Sequence, residues 1–208
     1  MGGLLLTVLL LAFLPGCRSQ RSVDDVLAKY GAKSDAKFKP LTGLENYPPE
    51  RLTLIAMKDE RKLEVWMETP KGPKFLTEYP ITAASGGPGP KRKEGDKQVP
   101  EGLYRLTDLN PNSRYHLSVR IDYPNRDDIA RSTIPVSEMG GDIFLHGRAV
   151  SIGCIAIGDS AIEELFCLIA RAKQREIWIA PYDFRKKQPP ANDELYQRLA
   201  KRMTDYRR

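Results

Sequence analysis

The segment from Gly140 to Ile155 constrains this chain more than any other, because two short apolar runs in it flank a polar turn. The first run, Asp142 to His146, contains Ile-Phe-Leu, and the second extends from Ile152 to Ile157. Apolar runs of this length that are bounded by Gly and Ser are typical of buried strands. We therefore predict a hairpin with its turn at Arg148 to Val150, which places the histidine opposite the neighbourhood of the cysteine. The spacing leaves the register open, since a one-residue slip turns a side chain to the other face.

The same segment contains the residue types that a thiol nucleophile needs. Cysteine attacks as the thiolate, so an imidazole has to accept its proton, and an acyl intermediate needs backbone N–H donors around its oxygen. His146 and Cys154 fit the first two roles, and the N–H groups of Gly153 and Cys154 fit the third. The alternative is a core cysteine beside a structurally satisfied histidine, since free cysteine is among the most buried residue types. Taken alone, the spacing favours this alternative.

Three motifs resemble those of one enzyme family. His146-Gly147 followed by Ser151-x-Gly153-Cys154 resembles the HG and S-H-G-C signature of the L,D-transpeptidase (YkuD-like) catalytic domain, with Ile152 in the position of the second histidine. Residues 85–104 resemble the substrate-side strand of that family and its T-P-x-G-x-[FY] segment. Residues 110–117, Asn-Pro-Asn-Ser-Arg-Tyr-His-Leu, resemble the YafK-type branch, which shares the replaced histidine and the short spacer. Together the motifs span residues 52–183.

The resemblance implies a fold and a reaction. The fold is mostly β with flanking helices (α+β), a YkuD-like β-sandwich catalytic domain. The reaction is peptidoglycan L,D-transpeptidation: Cys154 attacks the carbonyl at the L-centre of the third stem-peptide residue and forms a thioacyl-enzyme, with His146 as base and Gly153 at the oxyanion. The first alternative is a hydrolase that cleaves the amide link between a lipoprotein and peptidoglycan. The second alternative is a non-catalytic, wall-binding lipoprotein.

Other residues near these motifs are candidates for substrate binding. Arg114 and Arg148 are candidate carboxylate clamps, because a guanidinium binds a carboxylate through two parallel hydrogen bonds. His116 has two interpretations, substrate orientation or a hydrogen-bonded structural role. Ser151 is expected to hydrogen-bond within the turn or to the imidazole. Gly147 is a further candidate for substrate binding. No His, Cys, Asp or Glu residues have zinc or calcium spacing in the sequence, so we expect neither a metal nor another cofactor.

The N-terminus resembles a bacterial lipoprotein signal peptide. Residues 3–14 are apolar and uncharged, too short for a comfortable membrane span, and Leu-Pro-Gly-Cys at 14–17 precedes a polar stretch. The resemblance implies that residues 1–16 are removed and that Cys17 carries the lipid. We therefore expect a periplasmic protein anchored to a membrane through its N-terminal lipid.

Composition limits the partners. The formal net charge is +6, and no zinc-finger spacing, phosphate-binding Gly-rich loop or aromatic RNA-binding run accompanies it, so nucleic acid is disfavoured. A wall polymer rich in carboxylates, such as peptidoglycan stem peptides, suits a basic surface, and a wall-linked lipoprotein is a further candidate partner. The run Lys91-Arg-Lys is interpreted as a solvated loop. Cys167 is expected in the core of a helix rather than in a disulfide with Cys154.

The remaining pattern divides the chain into segments. After the signal peptide we predict an N-terminal tether over 17–50 with a short helix from Ser22 to Tyr30, the catalytic domain over 51–185 and a C-terminal segment over 186–208. That last segment contains a charged helix over 192–206 that lies over the surface. One hydrophobic core suits this length. Outside the central hairpin, strands 52–57 and 63–67 are predicted to form a second hairpin around Lys58 to Arg61. The other predicted strands are 75–84, 102–106, 117–122 and 177–179, and a helix follows from Ser160. Trp66 and Trp178 lie in strand patterns and are predicted to be core residues.

Overall fold

The computed structural model describes residues 20–208, which form nine strands and five α-helices, so the predicted α+β class is confirmed. The strands are β1 (Arg51–Met57), β2 (Lys62–Thr69), β3 (Gly72–Pro80), β4 (Ala83–Ala84), β5 (Gly102–Asn110), β6 (Ser118–Ile121), β7 (Phe144–His146), β8 (Ile155–Ala156) and β9 (Gln174–Ala180). The helices are α1 (Val23–Thr42), α2 (Arg126–Ala130), α3 (Val136–Met139), α4 (Asp159–Arg171) and α5 (Glu194–Met203), with a 3₁₀ turn at Leu44–Asn46.

The strands form one continuous sheet in the order β3-β2-β1-β9-β5-β6-β7-β8-β4. The predicted hairpin of β1 and β2 is confirmed, with Leu52 opposite Met67. Strand β5 links the two halves of the sheet, since it pairs with β9 through its first residues and with β6 through its last ones. Its pairing is irregular between Leu106 and Leu109, where the Arg175 guanidinium donates to the Leu106 and Thr107 carbonyls at 3.0 and 2.9 Å.

Both faces of the sheet centre are buried. Along β1, Leu54 and Ala56 enter the main core beneath α1 and α4, whereas Ile55 points to the other face, as the two-residue period of a strand requires. On that second face, Trp66 and Trp178 pack under α5, which confirms that both are core residues. The charged C-terminal helix thus closes a second core with its apolar side. Its buried residues are Leu195, Leu199 and Met203.

Helix α1 is longer than predicted. The predicted start is confirmed, because the Ser22 hydroxyl and the Asp25 carboxylate form a capping box. The predicted end at Tyr30 is wrong: the helix continues to Thr42, because Phe38 packs into the main core. Gly31 lies beneath the Arg171 side chain of α4, and a Cβ there would lie 2.6 Å from Arg171 Nη2. Tertiary packing, rather than local pattern, sets this helix length.

A buried ion pair fixes the long loop between β4 and β5 to the body of the protein. Lys58, in the turn after β1, donates to Glu101 Oε1 at 2.8 Å and to the carbonyls of Gly89 and Val99 at 2.9 and 3.1 Å. Glu101 is 0% exposed and also accepts hydrogen bonds from Gly89 N–H and the Tyr196 hydroxyl of α5. The loop that follows β4 is therefore held at both of its ends.

Candidate active site

The candidate histidine ends β7 and the candidate cysteine directly precedes β8, and these two strands are parallel. Leu145 pairs with Ile155 and His146 pairs with Ala156 in a parallel ladder. The predicted antiparallel hairpin is therefore wrong. The physical reason is that residues 147–154 reverse the chain twice, helped by positive φ angles at Arg148 (57°) and Gly153 (130°).

The parallel register determines the face of the sheet on which the His146 side chain lies. Side chains that pair across parallel strands lie on the same face, and successive side chains alternate. Leu145 and Ile155 both enter the core, so His146 and Ala156 lie on the opposite face. Cys154 directly precedes Ile155, so the same alternation predicts that its side chain lies on the face of His146.

The His146 ring is buried and oriented by two neighbours. It is 1% exposed, and the Tyr115 ring packs on it with centroids 4.6 Å apart. Its Nδ1 lies 2.6 Å from the Gly147 carbonyl. A carbonyl only accepts, so we assign the proton to Nδ1, which leaves the Nε2 lone pair available as a base. Burial lowers the pKa of His146, and the hydrogen bond to the Gly147 carbonyl raises it. Burial has the larger effect, so the pKa lies below its ordinary value and the ring is neutral at neutral pH.

The Cys154 thiol is half-buried and lies 3.7 Å from the Asp142 carbonyl. Burial raises its pKa above the ordinary value, and the Asp142 carboxylate adds to this effect. The Phe144 N–H and the Lys91 ammonium act in the opposite direction but do not outweigh burial. Among residues 20–208 no hydrogen bond joins the thiol to the His146 ring. The resting thiol and the resting imidazole are thus both neutral, which are the protonation states that general-base activation requires.

Ser151 organises the turn that carries the thiol. Its hydroxyl donates to the Cys154 carbonyl at 2.7 Å and accepts from the Gly153 N–H at 3.2 Å. Of the two roles predicted for Ser151, the structure shows turn hydrogen bonding. The Gly153 N–H is consequently engaged in the resting structure, and a substrate oxygen has to compete with Ser151 for it. Position 153 favours glycine because its φ angle is positive, and because an added Cβ would lie 3.3 Å from the Gln98 carbonyl.

Gly147 is buried where three segments meet. A Cβ at this position would lie 2.6 Å from Asp159 Oδ1 and 2.8 Å from the Tyr115 carbonyl. Asp159, the first residue of α4, accepts a hydrogen bond from the Arg148 N–H at 2.7 Å. Sequence reasoning missed Asp159, although an acidic residue at the start of a helix is a recognisable signal.

The remaining candidates are in different surroundings. Arg148 is exposed on the loop between the two strands, and Arg114 is exposed directly before Tyr115, the residue that packs on His146. His116 is held by α4, because its Nε2 lies 3.0 Å from Glu163 Oε1. Arg148 thus contacts Asp159 and Thr82 through its backbone, whereas His116 is connected to the helical side of the core.

Lys91 is the clearest case of a residue that sequence reasoning misjudged. Its prediction as part of a solvated loop is wrong, since its side chain is 6% exposed. The ammonium donates to Asp96 Oδ1 at 2.8 Å and to the Lys93 carbonyl at 2.7 Å. Burial of a lysine is tolerated only with such partners, and the nearby Asp96 was the available signal.

The other sequence predictions concern cysteines, metals and the membrane. Cys154 and Cys167 are both free thiols, and Cys167 is buried on α4 as predicted. Within residues 20–208, no three His, Cys, Asp or Glu side chains cluster as metal ligands do. None of the helices described is long and apolar enough to cross a membrane. The predicted signal peptide and Cys17 lie outside the described residues.

Comparison with known proteins identifies similar sequences. The family model for the YkuD L,D-transpeptidase catalytic domain matches residues 53–179. The chain is 35% identical over 133 residues to the protein named "Putative L,D-transpeptidase YafK" in two Escherichia coli strains, K12 and O157:H7. This match covers 62% of the chain and 52% of each relative, so the chain spans about half the length of the curated relatives it matches.

Solved structures resemble the fold. The helical cell shape determining protein Pgp2 from Campylobacter jejuni superposes with a TM-score of 0.55 at 19% identity, covering 72% of this chain and 52% of that protein. Its K307A mutant gives the same TM-score at 20% identity, with 88% and 61% covered. At this identity the likeness shows the shared fold.

Proposed function

Because the chain belongs to the family of YkuD L,D-transpeptidase catalytic domains, we propose that it is a peptidoglycan L,D-transpeptidase of the cell envelope that uses Cys154 as nucleophile and His146 as base. The substrate is the stem peptide, cleaved at the L-centre of its third residue. The observation that supports this proposal best is the parallel register of β7 and β8, which pairs His146 with Ala156, two residues after Cys154.

The first half-reaction forms a thioester. His146 Nε2 accepts the thiol proton while the Cys154 sulfur attacks the amide carbonyl carbon, giving a tetrahedral oxyanion. The Cys154 N–H, with the Gly153 N–H released from Ser151, donates to that oxyanion. The carbon–nitrogen bond then breaks, the amine leaves with the proton returned by His146, and the acyl group remains on sulfur.

The second half-reaction depends on the acceptor. An amine that loses its proton to His146 and attacks the thioester produces a cross-link or attaches a lipoprotein. Water attacking in the same way produces hydrolysis, the alternative reaction of the same site. Both routes regenerate the thiol, so Cys154 and His146 have the same roles in either. A non-catalytic wall-binding protein has no need for a thiol oriented in this way.

Location and anchoring are part of the same proposal. A lipid on Cys17, after removal of residues 1–16, holds the domain at a membrane within the periplasm, where stem peptides and wall-linked lipoproteins are accessible. The net charge of +6 favours association with the carboxylate-rich wall polymer.

Mass spectrometry of muropeptides tests the proposal. The full chain, purified in detergent, is incubated with muropeptides, some of which carry a lipoprotein-derived remnant. New dimers joined between third residues support transpeptidation, whereas loss of the remnant without dimers identifies the hydrolase. No change with any substrate would contradict both.

Two cysteine variants provide the matched comparison. Cys154→Ala removes the proposed nucleophile and should abolish turnover, while Cys167→Ala removes a buried thiol on α4 and should retain it. A carbapenem, which the family resemblance implies as an acylating agent, should add its mass to the wild type and to Cys167→Ala only. An adduct on Cys154→Ala would exclude Cys154 as the nucleophile.

A further inference from the structure

Tyr115 restrains the orientation of the His146 imidazole. The two ring centroids lie 4.6 Å apart, and the ring planes are inclined by 33°. The contact between His146 Nδ1 and the Gly147 carbonyl fixes one edge of the imidazole but leaves the ring free to tilt about that edge. A closely packed aromatic ring removes this freedom, because a tilt would drive the two rings into each other. The ring of Tyr115 is therefore placed to set the direction of the Nε2 lone pair.

The position of the Tyr115 ring follows from the position of the loop over 111–116. A Cβ on Gly147 would lie 2.8 Å from the Tyr115 carbonyl, so the loop packs closely on the residue that follows His146. The same carbonyl accepts a hydrogen bond from the Leu117 N–H at 3.1 Å. The Tyr115 N–H donates to the Ser113 hydroxyl at 3.1 Å. A shift of this loop would therefore move the Tyr115 ring relative to the imidazole.

The loop contains a backbone conformation that needs support from its surroundings. His116 has a φ angle of 76°, in the left-handed region that residues other than glycine rarely occupy. Such a conformation persists only where neighbouring contacts impose it. Glu163 Oε1 of α4 lies 3.0 Å from His116 Nε2, and the Tyr30 ring of α1 packs edge-on against the His116 ring. Two helices thus hold the His116 side chain.

Arg21, directly before the cap of α1, holds the backbone of the same loop. Its N–H donates to Asn112 Oδ1 at 2.9 Å, and the Asn112 side-chain amide donates to the Arg21 carbonyl at 2.8 Å. Its guanidinium donates to the Pro111 carbonyl and, at 3.1 Å, to the His116 carbonyl. One side chain thus connects both ends of the loop. Asn112 is exposed and Arg21 is half-buried, so these contacts add little apolar burial to the fold.

We propose that Tyr115 is a positioning residue for His146 and that Arg21 holds the loop in the conformation that presents the Tyr115 ring. This inference rests on the proposed function, because it assumes that His146 acts as the base. Neither Tyr115 nor Arg21 exchanges a proton in the reaction. Arg21 fixes the loop, the loop fixes the Tyr115 ring, and the ring fixes the imidazole, so the segment before α1 supports the active site.

The titration of His146 in the full chain, followed by NMR of the ring Cε1–H signal in detergent, tests the contact without turnover. The chain contains two histidines, so His146→Gln assigns the signal by its disappearance. Burial lowers the pKa of His146, and loss of the Tyr115 ring admits water, so Tyr115→Ala should move this pKa upwards towards its ordinary value. Among residues 20–208 the Tyr115 hydroxyl forms no hydrogen bond, so Tyr115→Phe should titrate as the wild type does.

Carbapenem acylation of Cys154, measured against drug concentration, separates positioning from binding. Tyr115→Ala should lower the maximal acylation rate by about tenfold or more, because a displaced base transfers the proton poorly, with little change in the half-saturating concentration. Tyr115→Phe should restore the rate.

Arg21→Met frees the loop while Tyr115 itself is kept, and it should lower the maximal acylation rate by about fivefold. Arg105→Met is the matched control. It removes an arginine that is paired with Asp122 on the surface of β5 and is 76% exposed, and it should leave the rate and the half-saturating concentration unchanged.

The results that overturn the inference differ from those that overturn the proposed function. If Tyr115→Ala leaves the His146 titration or the maximal acylation rate unchanged, the inference is wrong and the proposed function stands. A change in the half-saturating concentration alone would make Tyr115 a substrate contact instead. If Tyr115→Ala does not fold, the acylation rate of Arg21→Met decides. If the wild type is neither acylated nor active on muropeptides, the proposed function is wrong and the inference fails with it.

Discussion

Replacement of Lys58 by methionine tests whether the buried ion pair holds the loop that follows β4. The side chain of Lys58 is 8% exposed and that of its partner Glu101 is 0% exposed. The change keeps most of the side-chain volume but leaves the Glu101 carboxylate buried without its counter-charge. It also removes the donor of the Gly89 and Val99 carbonyls.

The expected cost follows from these contacts. Removing one partner of a buried ion pair typically destabilises a protein by about 3–5 kcal/mol. Gly89 N–H and the Tyr196 hydroxyl still donate to Glu101, so we expect a value near the lower end, about 3 kcal/mol. For a chain of this length that corresponds to a thermal midpoint lower by about 6–12 °C.

Urea unfolding at neutral pH measures this loss of stability, provided that the slope of the unfolding free energy against urea concentration is the same in the variant and the wild type. Lys62→Met is the matched control, because Lys62 belongs to a surface pair with Glu60 at 3.7 Å and should cost less than about 1 kcal/mol. The double variant Lys58→Met with Glu101→Gln removes both charges and should recover about 2 kcal/mol of the loss. A cost below about 1 kcal/mol for Lys58→Met, or a double variant no more stable than the single one, would refute the reasoning.

Three further predictions concern the candidate active site and the loop that contains Lys91. Gly153→Ala forces a side chain to φ 130° and to within 3.3 Å of the Gln98 carbonyl, a strain of about 1–3 kcal/mol, so carbapenem acylation of Cys154 should slow at least about tenfold. An unchanged acylation rate in Gly153→Ala would contradict the proposed role of the Gly153 backbone. Burial raises the pKa of Cys154 above its ordinary 9.0, so alkylation by iodoacetamide should keep rising with pH through 9, whereas a plateau below pH 7 would indicate a preformed thiolate. Burial alone would raise the pKa of Asp96, but the Lys91 ammonium and backbone N–H groups lower it to about 2 from 3.8. The resulting stabilisation, about 2 kcal/mol, is present above pH 3.8 and is lost as the pH falls to about 2. Asp96→Asn should therefore flatten the pH dependence of unfolding in that window, and an unaltered acid transition would disprove the assignment.

The sequence by itself determined the parts of this protein that depend on local pattern. Two short apolar runs on either side of the polar turn from Lys58 to Arg61 specified the hairpin of β1 and β2, because such runs are typical of strands that are buried on both faces. The helical period around Cys167 specified α4 and the burial of that thiol. The types and order of His146, Gly153 and Cys154, through their resemblance to the family signature, indicated the proposed chemistry.

Only the tertiary structure decided how these parts meet. Strands β7 and β8 are parallel, and each also has an antiparallel partner: Ser118 on β6 pairs with His146, and Ala84 on β4 pairs with Ile155. These partners are remote in sequence, so no local pattern encodes the direction of the pairing. Lys91 is buried for a related reason, since the fold brings the Tyr123 ring to it and the loop returns Asp96 to its ammonium. Local sequence sets the hydrophobic period and the secondary-structure propensity of a segment. The register of its strand pairing and the burial of a charge depend on the free energy of contacts with distant segments.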